Sequence, residues 1–584
     1  MRRRDLIVIF VAALLARLVY LWQLRGYDLA DVLILDPRAY DGEARRILAG
    51  GAFPHAFYQA PLYAYFLAGI YALFGHGFLA VRVAQGLLGA ASVALTADLS
   101  ARLFGRTAGA LTAVLALLYG VFPFYDAQIM KTSLTIFLSV ALLWLLEPGR
   151  RGSLGAARSL LSGLTLGLGI LTRENLLLFV PFGAFLVWIA GRNRRGAVLF
   201  VAATLLTLLP VTLHNLRASG ELILVTSQGG QNFYIGNHAQ ATGTYANPAF
   251  VRPDPQFERA DFHAEAERRA GRRLSANEAS TFWYVESLKE MLDDPGRSVR
   301  LLGTKFLIFL GGIELPDNES LYALRDAVPI LRFLPLSFAV LTPLAILGWI
   351  ITRARRREML FLHVFVLVNL ATLVLFFVVS RYRVAVAPVF MILAAPALLA
   401  LAGWARRAEP RPLALSGLLV LGAMAPCSLP DLAGFDPRDY RSVNHFANRA
   451  RMFASAGRNA EAIEAYQAAL RQNDQVAVLH YELGTLFVKE GRLAEARSEM
   501  ERAVAIRPES PNTRNDLGIV LAELGEAGRA EGQFVEAARL SPEWEAPLGN
   551  LARLYETRGD SARRAEVLER IAAMRRSAAM RERR

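Results

Sequence analysis

The chain alternates between apolar runs of about 15 to 23 residues and short polar connections, and that run length crosses a bilayer as a helix. The runs fall at about 6–24, 78–101, 107–123, 130–147, 157–172, 174–191, 196–215, 330–351, 359–379, 385–403 and 412–427. They predict eleven membrane-spanning helices. Two further stretches, about 62–74 and 299–313, read as helices lying at the interface rather than crossing it. The expected fold class is mostly α, a polytopic membrane helix bundle followed by an α-solenoid.

The solenoid is legible as a repeat. Gly457, Gly491, Gly525 and Gly559 stand 34 residues apart, and Leu483, Leu517 and Leu551 keep the same period. So do Ala462, Ala496 and Ala530, and Ala469, Ala503 and Ala537. Gly ends the first helix of each unit, Ala lets the paired helices approach, and Pro508 and Pro542 close two units. This pattern resembles the tetratricopeptide repeat, most closely in its middle two units. Such stacks usually offer a concave surface to a peptide or another protein, the alternative being a stabilising or oligomerising appendage. The expected organisation is a membrane domain over 1–430, a linker over 431–442 and a repeat domain over 443–578.

Charge orients the spans. Arg2, Arg3 and Arg4 precede the first run, which lacks an obvious small-residue cleavage site and is expected to be retained. The clusters Arg102 and Arg106, Arg150 and Arg151, and Arg192, Arg194 and Arg195 fall on alternate connections. Arg353, Arg355, Arg356 and Arg357, then Arg406, Arg407 and Arg411, continue the phase when 299–313 does not cross. Arginine-rich connections mark the cytoplasmic side. The N-terminus is thus expected inside, with loops 25–77 and 216–329 and the repeats extracytoplasmic, in a bacterial inner membrane.

Composition removes other classes. A chain of 584 residues that is 54% hydrophobic is too apolar for an ordinary soluble enzyme. The net charge of +14 sits largely in the clusters flanking apolar runs, so no nucleic-acid partner is expected. A single cysteine, Cys427, excludes an intramolecular disulfide and metal–thiolate clusters, and no metal-ligand spacing is present.

Candidate chemistry begins in the first outer loop, where Asp36 and Asp41 flank Tyr40 just beyond the first span. Charge so near hydrocarbon is costly unless paired, wetted or used. Asp36-Pro37 is also a good helix start, with Asp as N-cap. The topology adds Arg82, Asp126, Lys131, Arg173, Glu174, Arg381 and Arg383 to the same membrane face. A carboxylate base with cations nearby suits attack by a hydroxyl on a carbon whose leaving group is phosphate. Arginine binds phosphate bidentately. Arg82, Lys131 and Arg173 also fit simple snorkelling to the interface. The Gly- and Asn-rich stretch 227–237 reads chiefly as turn punctuation.

Ordered motifs then point to a family. They are Asp36-Pro37-Arg38-Ala39-Tyr40-Asp41, Tyr58-Gln59-Ala60-Pro61-Leu62-Tyr63, Gly167-Leu168-Gly169-Ile170-Leu171-Thr172-Arg173 and His214-Asn215-Leu216-Arg217. Gly236-Asn237-His238 and Ser380-Arg381-Tyr382-Arg383 follow in order. Over roughly residues 5 to 405 the chain resembles bacterial GT-C glycosyltransferases, akin to protein O-mannosyltransferases and lipid A aminoarabinose transferases. The resemblance implies transfer of a sugar from a polyprenyl-phosphate carrier to an extracytoplasmic acceptor, commonly with inversion. It implies a first-loop aspartate as base, the position of Asp36, with Asp41 as the alternative. It implies cations on the carrier phosphate, with Arg381 and Arg383 the equivalents, and Tyr40, Arg82, Lys131 and Arg173 as further substrate-binding candidates. Membrane lipid and a lipid-linked sugar are then the partners, with a protein acceptor or partner for the repeats and no certain cofactor. Departures are Pro37 where such relatives often carry Glu, Ala60 where Pro-Pro is frequent, and Lys131 where an acidic residue is common.

An oligosaccharide ligase or polymerase, a membrane-anchored repeat scaffold and a transporter are the competing classes. Transporters usually place polar groups mid-span at broken helices, whereas these lie at span ends. A scaffold leaves eleven spans and a long outer loop without a role.

Overall fold

The computed structural model describes every residue except 52, 148–153, 192–193, 249, 253–254, 317, 429–436, 543 and 583–584. Arg150, Arg151, Arg192 and the 431–436 part of the expected linker lie outside the described residues. Among the described residues there is no strand, only an isolated bridge between Tyr119 and Pro335. The chain is mostly α, as its periodicities require.

The chain opens with α1 (Arg3–Leu24), α2 (Leu35–Leu48), α3 (Leu62–Phe74), α4 (Phe78–Phe104), α5 (Arg106–Leu118), α6 (Val121–Ala127) and α7 (Thr132–Leu146). Next come α8 (Ala156–Thr172), α9 (Phe179–Gly191), α10 (Arg194–Ser219) and α11 (Gly229–Asn237). The polar region after them holds α12 (Pro255–Ala270), α13 (Ala276–Asp293), α14 (Pro295–Leu310) and α15 (Leu321–Ala327). A second apolar group follows with α16 (Phe338–Ile351), α17 (Leu360–Leu375), α18 (Ser380–Arg383), α19 (Ala387–Arg406) and α20 (Pro410–Ser428).

Each of the eleven predicted runs contains a helix, but their ends differ from the expectation. The run at 107–123 breaks at Tyr119, whose backbone is extended, and resumes as α6. The run at 330–351 is α-helical only from Phe338. Pro335 disfavours helix at the residue before it, and Leu334 accordingly sits at φ −115° and ψ 70°. Among the described residues, four helical stretches are long and apolar enough to cross a membrane, Arg3–Leu24, Phe78–Phe104, Arg194–Ser219 and Ser380–Arg406. Shorter apolar helices fill the rest of the bundle. Leu205 and Leu206 of α10 and Val8 and Trp22 of α1 are exposed on its outside, the surface an integral membrane protein turns to lipid.

Within the apolar bundle, extensive contacts join α8 to α10, α16 to α19, and α4 to α1, α5 and α7. The Gly- and Asn-rich stretch is not a turn: it forms the short helix α11. Gly236 lies near its end, against Phe376. A Cβ there would lie 2.0 Å from the carbonyl oxygen of Phe376, so only glycine permits that approach. Asn237 completes the junction by donating to the carbonyl of Leu375 at 2.8 Å.

By contacts the chain divides into two units. The first comprises Met1–Asp31, Asp36–Ala246 and Tyr284–Arg438. The second comprises Val32–Leu35, Asn247–Trp283 and Asp439–Arg584. In the second, α21 (Pro437–Ser455), α22 (Asn459–Gln472), α23 (Ala477–Lys489), α24 (Leu493–Ile506), α25 (Pro511–Glu523), α26 (Ala527–Leu540), α27 (Glu545–Thr557) and α28 (Ser561–Glu582) form successive pairs. Gly457, Gly491, Gly525 and Gly559 separate the members of each pair at φ of 75°, 72°, 79° and 69°. That left-handed turn ends a helix at little cost only for glycine. Ala462, Ala496 and Ala530 are fully buried, as close pairing demands.

Candidate active site

The helix α2 sorts the first-loop residues by face. At about 100° per residue, Tyr40 and Glu43 fall within about 40° of Asp36, whereas Asp41 lies about 140° away. Asp41 accordingly accepts from Tyr71 Oη at 3.0 Å and meets His76 Nε2 at 2.8 Å and Arg45 Nε at 2.9 Å. The expected cap is displaced: α2 begins at Leu35, which adopts φ 49°, so Asp36 lies inside the first turn. A non-glycine residue in that conformation costs about 1–2 kcal/mol. The kink sets the direction in which Asp36 leaves the backbone.

Asp36 meets Arg381. The guanidinium Nη1 donates to Asp36 Oδ2 at 2.5 Å, across 345 residues of sequence, with both side chains largely buried. Burial by itself would raise the Asp36 pKa. Arg381, then Lys131 and a hydrogen bond with Asn318, outweigh it and hold the carboxyl below its usual range. Asp36 is therefore ionised. Burial, then the Asp36 charge, push the Tyr40 phenol well above its usual range, which keeps it a neutral hydrogen-bond donor.

Helix ends supply the surrounding cations. Lys131 immediately precedes α7, and Glu174, Arg173, Arg381 and Asp36 lie within its electrostatic reach. Arg173 ends α8; its guanidinium lies 4.0 Å over the Tyr382 ring and donates to the Tyr382 carbonyl at 3.1 Å. Arg381 also donates to Tyr382 Oη at 3.1 Å. Tyr382 thus spaces two guanidinium groups. Glu174 follows Arg173 in a 3-10 turn and accepts from Gln228 Nε2 at 2.8 Å.

Three expected residues are engaged elsewhere. Arg82 donates to Asp31 at 2.6 Å and to the carbonyls of Ala127 and Ala30, tying the loop after α1 to the start of α4. Arg383 is buried, pairs with Glu314 at 3.2 Å and donates to the carbonyls of Ile308 at 2.9 Å and Ile313 at 2.6 Å. Asp126 pairs with Arg17 at 2.6 Å inside the bundle. The structure therefore groups Asp36, Tyr40, Lys131, Arg173 and Arg381, and sends Asp41, Arg82, Asp126 and Arg383 to other contacts. Sequence reading passed over Glu43, Gln228, Asn318 and Tyr382. For Glu43 the signal was present, seven residues after Asp36 on one helical face. For Asn318 there was none, because a fold contact across nearly 300 residues leaves no local mark. No group of three or more His, Cys, Asp or Glu side chains suited to a metal ion occurs among the described residues.

Fold and site define a polytopic helical membrane protein with a carboxylate–guanidinium site at its helix ends and a helical repeat domain. The family model described as dolichyl-phosphate-mannose-protein mannosyltransferase matches residues 58–214. The tetratricopeptide-repeat model matches 447–511 and 481–545. The chain thus carries a membrane glycosyltransferase domain of the GT-C class followed by tetratricopeptide repeats. Among solved structures, a crystal structure of MamA is 17% identical, covering 24% of this chain and 81% of that one at a TM-score of 0.23. YrrB, described as a repeat protein with an unusual peptide-binding site, is 17% identical over 31% of this chain and 87% of its own, at 0.22. PilF of Pseudomonas aeruginosa is 18% identical over 30% and 73%, at 0.22. None of the curated proteins matches the chain.

Proposed function

We propose that the protein moves a sugar from a polyprenyl-phosphate carrier to an acceptor hydroxyl on the extracytoplasmic face. The observation that carries this reading is the Asp36–Arg381 pair at 2.5 Å, with Lys131, Arg173 and Tyr40 around it. Arg381 holds the carrier phosphate, with Lys131 and Arg173 adding positive charge. Asp36 takes the proton of the acceptor hydroxyl as its oxygen bonds to the anomeric carbon. The bond from that carbon to the phosphate oxygen breaks, and its electron pair leaves on the phosphate, where the cations stabilise it. A single displacement of this kind inverts the anomeric centre.

Arg381 cannot serve both anions equally. Phosphate that draws the guanidinium away from Asp36 raises the basicity of that carboxylate at the moment a donor is present. Arg383 and Arg82 hold the scaffold in this reading, and Asp41 orients α2 against α3. The repeats are proposed to engage a protein acceptor or partner on the same face of a bacterial inner membrane, with the N-terminus cytoplasmic.

The test compares the parent with Asp36→Asn for sugar release from polyprenyl-phosphate donors, using an extracytoplasmic extract as acceptor. Turnover is expected to fall at least about 100-fold, the lower range for a general base, with donor binding retained. An unimpaired Asp36→Asn would remove Asp36 from the chemistry. No turnover of any donor by the parent would favour the ligase or scaffold readings instead.

A further inference from the structure

Glu174 lies in the ionic site but has no part in the chemistry above. It stands between Arg173, whose guanidinium stacks on Tyr382, and Asn175, which donates to Thr372 Oγ1 at 3.3 Å. Its Oε1 is fixed by Gln228 Nε2 at 2.8 Å. Its Oε2 is shut off from solvent and has no hydrogen-bond partner among the described residues. A carboxylate oxygen buried in that way is costly unless a donor reaches it. Lys131 balances part of the charge, being within reach of both Glu174 and Asp36.

We infer that Glu174 Oε2 receives a hydroxyl of the donor sugar and so selects which lipid-linked sugars are used. This rests on the glycosyltransferase reading. A sugar carried on phosphate begins one bond from the groups that hold the phosphate. Arg173 and Lys131 add positive charge beside those groups, and Glu174 adjoins the first in sequence and lies within electrostatic reach of the second. The sugar's hydroxyls donate, and an ionised carboxylate accepts twice as strongly as a neutral oxygen. A site built to hydrogen-bond a hydroxyl rejects an analogue lacking it more sharply than an apolar pocket can. Gln228 serves as a positioning residue that holds the carboxylate plane, leaving Oε2 for the ligand.

The test uses the full-length protein and Glu174→Gln with polyprenyl-phosphate mannose, glucose and arabinose, then every monodeoxy form of whichever sugar the parent transfers. Glu174→Gln is expected to lose about 10- to 100-fold in kcat/KM for the intact sugar, the worth of one charge-assisted hydrogen bond. With one particular monodeoxy donor, parent and variant should be equally slow. An equal loss across all donors, every monodeoxy form included, would overturn the inference and assign Glu174 to holding Lys131. No loss at all would overturn it too. If Glu174→Gln does not fold, Glu174→Asp, which keeps the charge beside Lys131 but withdraws the oxygen, is read in the same panel with the same outcomes. A parent that transfers none of the sugars removes both this inference and the reading beneath it, whereas a parent that transfers one while the variant shows no donor-specific loss removes only this inference.

Discussion

Glu43 shares the Asp36 face of α2, and burial, reinforced by the Asp36 charge against the opposing pull of Arg46 and Lys131, lifts its pKa to about 7. It is neutral below that pH and anionic above it. An added anion beside the cations that await a phosphate weakens donor binding. The donor KM is therefore expected to rise as pH passes from about 6 to about 8, a unit either side of the midpoint. Glu43→Gln should flatten that rise, measured as KM against pH for both proteins. At this scale the sequence was readable wherever helical spacing governs. Asp36, Tyr40 and Glu43 share a stripe because of their spacing alone, and Asp41 leaves it for the same reason. The destinations of Arg82 and Arg383 were not readable, since snorkelling, phosphate binding and carbonyl bridging make the same demand on composition.

Helices are joined by a few polar contacts set in apolar surroundings. Arg17 of α1 and Asp126 of α6 pair at 2.6 Å with both side chains 5% exposed, and Arg17 also donates to the Ala13 carbonyl at 2.9 Å. Removing one partner leaves the other charge buried, which costs about 3–5 kcal/mol. Asp126→Ala is expected to lower the thermal midpoint in detergent strongly. Arg17→Met combined with Asp126→Leu should recover much of the loss, because the desolvation cost then disappears with both charges. Differential scanning of the three proteins checks this. Run length marked the first of these helices, α1, whereas α6 belongs to a run expected to form one span with α5. Their ends were less legible. Tyr119 and Leu334 leave the helix through a local bridge and a following proline, and only the second of these is written in the neighbouring residues.

For the molecule as a whole, repeats and membrane domain are each specified by their own period, 34 residues in one and a bilayer's thickness in the other. Deleting Arg441 to Arg584 is expected to raise the acceptor KM several-fold while leaving donor binding within a factor of about two, the scatter expected of groups that do not interact. Steady-state kinetics with each substrate varied in turn, on protein whose melting transition is retained, decides it. Equal loss of both would give the repeats a structural role.

The separation of Asp36 from Arg381 has a consequence for biogenesis. The two residues lie 345 positions apart, and at ribosomal speeds of about 5–20 residues per second the first is made roughly 20 to 70 s before the second. Throughout that interval Asp36 lacks the guanidinium that it meets in the finished protein. A ribosome-stalled chain ending before Arg381 should insert its early helices yet bind no lipid-linked sugar. The Asp36–Arg381 pair is thereby incomplete until about two thirds of the chain has been made.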